Sequence, residues 1–77
     1  MVRVYDFTVL LEPDDEGGGY VVSCAALPGC YSQGDTINEA LENIKEAIQV
    51  CLEDIQAQNK PIPDVSKTLV SSVAVAV

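Results

Sequence analysis

The 77-residue chain has no histidine and no tryptophan, and only four of its residues are basic. Without histidine it lacks the commonest general base, the Ser-His and Cys-His nucleophile pairs, and the usual nitrogen ligand of zinc. Four bases against twelve acids give a formal charge of -8 and a pI near 4.1. Such a surface repels phosphate, which argues against direct nucleic-acid binding. No window approaches the ~18 apolar residues of a membrane span. Met1 to Asp6 holds no apolar run of signal-peptide length, so no secretory leader is expected. Cysteine is scarce and odd in number: Cys24, Cys30 and Cys51 fit neither a disulfide framework nor a zinc site. A reduced, cytoplasmic protein is the simplest expectation.

What is present is the composition of a globular domain. Hydrophobic residues make up 48 % of the chain and charged residues 21 %. The length allows one domain, residues 1–77. A domain of this size buries only about 60 % of the surface its unfolded chain exposes. Extra burial from an oligomer, a dimer or higher, or from a partner protein is therefore expected.

Residues 4 to 12 alternate as a strand does. Tyr5, Phe7, Val9 and Leu11 share one face; Asp6, Thr8, Leu10 and Glu12 share the other. Pro13 stops the run, and Asp14-Asp15-Glu16-Gly17-Gly18-Gly19 reads as a turn. Tyr20 to Ala26 resumes the strand pattern. Leu27-Pro28-Gly29-Cys30 has the chemistry of a type II turn, and Cys30 to Gln33 makes a short third strand.

The spacing predicts one helix from about Ile37 to about Gln58. Asp35 or Thr36 caps it, Glu39 completes a capping box with Thr36, Asn59 ends it in a left-handed conformation, and Pro61 forbids continuation. Ile37, Ala40, Leu41, Ile44, Ala47, Ile48, Cys51, Leu52 and Ile55 recur at three and four residues and form one apolar arc. Thr68 to Val77 alternates again and reads as a last strand. The expected order is β-β-β-α-β, an α+β fold with the helix packed on one face. The last strand would add in parallel beside the first, with the helix as crossover.

The candidate binding residues are acids. Glu39, Glu42, Glu46 and Glu53 lie within ~60° of one another on the helical wheel, opposite the apolar arc. Such a row is either a solvated face or a stripe that docks a basic protein. The loop acids Asp14, Asp15 and Glu16 come next. Their spacing is not that of a calcium loop, and a solvated hairpin tip is the expectation. Gly17-Gly18-Gly19 precedes a strand rather than a helix, so it is no phosphate cradle. Cys24 and Cys51 occupy positions that look buried. Cys30, beside a turn, is expected to be more exposed, but no base stands nearby to activate it. A two-metal site built from Asp6 or Glu12 with Glu39 or Glu42 would need converging acids and a basic groove for its substrate, and the pattern offers neither. No catalytic residue, metal or cofactor is assigned.

Together these residues resemble a family. Tyr20-Val21-Val22-Ser23, Leu27-Pro28-Gly29-Cys30, Ser32-Gln33-Gly34-Asp35-Thr36, Glu39-Ala40-Leu41-Glu42-Asn43 and Glu46-Ala47-Ile48 resemble the HicB antitoxins over about residues 5 to 63. The resemblance implies a partial ribonuclease-H-like fold. It also implies a role: binding a HicA-type toxin, a small basic ribonuclease that cleaves messenger RNA, and covering its active site. Many members carry a further DNA-binding domain. The 14 residues after the matched region leave no room for one, so operator binding by this chain alone is not expected. Two other functions stay open. One is a solitary oligomeric HicB-like domain with a structural or regulatory role and no toxin. The other is a metal-dependent enzyme on the same scaffold, which magnesium- or manganese-dependent RNA cleavage would reveal.

Overall fold

A computed structural model describes residues 4–77. The observed order is β1 (Val9–Pro13), β2 (Tyr20–Cys24), β3 (Tyr31–Gly34) and α1 (Ile37–Ala57). The three strands form one antiparallel sheet in the order β1-β2-β3. Val9 pairs with Cys24 and Pro13 with Tyr20; Tyr20 also pairs with Gly34. This register turns Val22 and Cys24 inward and leaves Val21 and Ser23 outward, as the alternation requires. The helix covers one face of the open sheet, in the manner of a partial ribonuclease-H-like α+β fold.

Local chemistry sets the boundaries. The Cys30 amide donates to the Leu27 carbonyl at 3.0 Å, and Gly29 has φ 78°. That is the hydrogen bond and the positive φ of the expected type II turn. Thr36 is the N-cap: its Oγ1 accepts from the Glu39 amide at 3.1 Å. At the other end Asn59 has φ 56°. Lys60 N–H donates to the Ile55 carbonyl and Asn59 N–H to the Gln56 carbonyl, each at 3.0 Å. These two bonds make a Schellman motif.

The core is small. Val22, Cys24, Leu27, Cys30, Ala40 and Ile44 are buried, ringed by partly covered side chains such as Phe7, Val9, Leu11, Ile48 and Leu52. Gly34 makes this packing possible, because a Cβ there would run into the backbone N of Ala40. The helix lies over β3 and β2 and scarcely reaches β1. The inner face of β1 is thus only half covered. Ile37 and Leu41, at the margin of the apolar arc, are exposed.

Two segments differ from expectation. The first strand begins at Val9 and not at residue 4. Its partner β2 ends at Cys24, opposite Val9, so residues 4–8 have nothing to pair with. The fourth strand does not form: residues 68–77 belong to no ladder. The connector is ordered by Asp64, whose Oδ1 accepts from the Ser66 amide at 2.9 Å and the Ser66 hydroxyl at 2.6 Å. It delivers residues 68–71 beside Thr8, Leu10, Ser23 and Ala25, on the sheet face away from the helix. The alternating segment therefore lies against β1 and β2 without joining their ladder. Among the described residues, no helix is long and apolar enough to cross a membrane.

Candidate functional site

The acidic residues singled out in the sequence occupy two adjoining places. One is the β1–β2 loop. Asp14 Oδ1 accepts from the Glu16 and Gly17 amides, both at 3.1 Å. The Asp14 carbonyl accepts from Gly18 at 3.0 Å, and its amide donates to the Gly19 carbonyl at 3.0 Å. Half of the Asp14 carboxylate is thus committed to folding its own loop, an Asx turn. Asp15 and Glu16 stand exposed at the tip. Gly19, at φ 75°, passes so close to β3 that a Cβ there would lie 3.0 Å from Asp35 Cα.

The other place is α1. Glu39, Glu42, Glu46 and Glu53 are all exposed, on the side of the helix away from the sheet. The close approach at Gly19 and Gly34 brings the loop and the helix start together. They border one hollow of about 320 Å³, lined by Asp14, Gly17, Gly18, Gln33, Gly34, Asp35, Glu39 and Asn43. The structure therefore joins Asp14 to Glu39 and adds Asp35. Glu42, Glu46 and Glu53 continue along the helix outside this hollow. Asn43 is not among the candidate binding residues of the sequence. Its Nδ2 donates to the Gln33 carbonyl at 2.7 Å and pins the helix to β3. The only sequence signal for it is its place in the Glu39–Asn43 run.

One expectation about cysteine is corrected. Cys30 is buried at 4 % exposure, like Cys24 at 3 %, while Cys51 is half-buried. The turn folds inward because Cys24 N–H donates to the Cys30 carbonyl at 3.0 Å. Burial pushes the Cys30 thiol up to about 11, and the neighbouring Cys51 and Cys24 thiols add to the rise. All three cysteines are free and serve as small core residues. Among the described residues, no three Asp, Glu, Cys or His side chains converge as a metal-binding group. What this surface offers is a displayed row of fixed negative charge. A row of that kind can steer and register a basic protein.

Residues 7–74 match the family described as HicB-like antitoxin of bacterial toxin-antitoxin systems. A UPF0150 protein of Synechocystis is 48 % identical over 61 residues, 79 % of this chain and 76 % of that protein. A UPF0150 protein of Thermoplasma acidophilum is 49 % identical over 57 residues, 74 % of this chain and 81 % of that protein. One from Helicobacter pylori is 34 % identical over 67 residues, 87 % of this chain and 90 % of that protein. The match spans the sheet, the acidic loop and the whole helix, and the chain belongs to the HicB-like antitoxins, a non-catalytic family of bacterial toxin-antitoxin systems.

Proposed function

We propose that the chain binds a HicA-type ribonuclease toxin and neutralises it by covering the active site. The observation that carries this reading is the acidic surface described above, on a chain of net charge -8. A protein that grips RNA must present cations, and an acidic partner can occupy the same surface. Glu39, Glu42, Glu46 and Glu53 are the contact residues of this proposal, with Asp14, Asp15 and Glu16 flanking them. The setting is the cytoplasm, and the antitoxin works there as a homo-oligomer.

The test is a titration against the small basic protein encoded beside this one, with RNA cleavage followed in the same samples. Tight binding with loss of cleavage is expected. Cleavage that persists at saturating antitoxin overturns the reading and leaves a HicB-like domain with some other regulatory task. The charge reversal Glu46→Lys locates the contact. It should slow association about tenfold by weakening electrostatic steering. Folding stability should stay within ~0.5 kcal/mol of wild type, because the site is exposed and the change removes the Glu42–Glu46 like-charge pair. An unchanged association rate would take the helix stripe out of the interface.

A further inference from the structure

We infer that residues 68–77 form an arm that a second copy of this chain takes up, as a strand along the edge of β1 and over the half-covered groove between β1 and α1. The arm, TLVSSVAVAV, contains no charged residue on an otherwise acidic chain. Its β-branched and small residues alternate as in a strand. Yet Leu69 is 91 % exposed, Val73 86 % and Val75 77 %. Such a run of exposed apolar side chains marks an interaction site rather than a resting surface. The radius of gyration, 14.4 Å, exceeds the about 11–12 Å of a compact chain of this length, and the longest dimension is 46 Å. The chain is thus more extended than a compact domain of its length.

The receptor is on the same molecule. Among the described residues β1 pairs only with β2, so its other edge carries no ladder, and residues 4–8 before it have none either. An open strand edge is a template for a further strand. Beneath it lies a groove of about 550 Å³ lined mainly by apolar side chains, among them Phe7, Val9, Leu41, Ile44, Ile48 and Leu52. This is the space that a strand beside β1 would cover. The chain's own residues 68–71 lie beside Thr8, Val9, Leu10, Ser23 and Ala25 without forming a ladder with them. A basic partner would be drawn to the acidic helix face. An uncharged arm fits an apolar groove with an open edge, and the second copy supplies both halves of that match. The exchange is reciprocal and closes as a two-fold dimer.

The test uses the full chain without any toxin, so it stands or falls apart from the toxin-binding reading. Wild type should sediment as two chains. Val73→Pro removes a ladder donor from the exposed arm, and Leu41→Arg puts a charge at the exposed rim of the groove. Each variant alone should give a single-chain mass with an unchanged helix signal in circular dichroism. Mixed in equal amounts they should associate again, since one retains an intact groove and the other an intact arm. Amides of residues 69–76 should be protected from exchange in wild type and lose that protection in both variants. A wild type of single-chain mass at its highest soluble concentration overturns the inference; protected arm amides in that monomer would mean that the arm docks on its own β1. A dimer that survives both substitutions, or two monomeric variants that fail to associate on mixing, also overturns it.

Discussion

Single residues decide how closely the layers of this protein approach. Gly34 is the clearest case, because the first turn of the helix occupies the space where its Cβ would be. Gly34→Ala should therefore destabilise the fold by about 1–3 kcal/mol, through a forced separation of α1 from β3. Urea unfolding followed by circular dichroism measures it, and an unchanged midpoint would mean that the helix shifts freely. Cys30 gives a second prediction. With its thiol raised to about 11, chiefly by burial, it carries almost no thiolate at neutral pH. Alkylation at pH 8 should leave Cys30 unmodified in the folded protein and modify it in urea, as peptide mass mapping would show. The linked effect on stability has a definite sign. The folded value lies above the ordinary 9.0, so the contribution is fully present below about pH 9 and is lost as pH rises through about 11.

At the scale of elements, the helix is fixed mostly by its own ends. Thr36 caps it, and Asn59 with Lys60 closes it in a Schellman motif. Thr36→Ala should cost about 1 kcal/mol by orphaning the Glu39 amide, read as a lower thermal midpoint. An unchanged midpoint would show that water serves the helix start equally well. These signals are local, and they were legible in sequence: the expected span from Ile37 to about Gln58 differs from the observed Ile37–Ala57 by one residue. The Leu27–Cys30 turn was legible for the same reason. Strand length was not. β1 is only as long as its partner allows, and residues 4–8 alternate as well as Val9–Pro13 does without forming a ladder. The expected exposure of Cys30 failed likewise, because burial beside a turn depends on which way the turn folds.

For the whole molecule, the small core and the large charge act together. Among the described residues six are buried, little for a chain of 77, and only Val22, Leu27 and Ile44 of these are large aliphatic side chains. Association is the natural source of further burial. In the proposed function, the charge of -8 sets the speed of encounter with a basic toxin. Raising ionic strength from about 0.01 M to about 0.15 M shortens the screening length from ~30 Å to ~8 Å. The association rate with a basic toxin should fall about tenfold or more over that range, while the dissociation rate changes little. Stopped-flow mixing at several salt concentrations would measure it. A salt-independent rate would mean that the acidic surface does not guide the encounter.

The sequence by itself determined what rests on neighbours in the chain: the helix and its caps, the turn at Pro28-Gly29, the inward set of Val22 and Cys24, the acidic helix face and the family pattern. Hydrogen bonds over a few residues and the periods of 2 and 3.6 fix these, and both are written in local order. Only the tertiary structure decided that Asp14 meets Glu39 across one hollow, that the helix sits over β3 and β2 and leaves β1 half bare, and that residues 68–77 join no ladder. Each of these depends on where distant segments arrive in space, and an alternating pattern specifies a strand without specifying its partner.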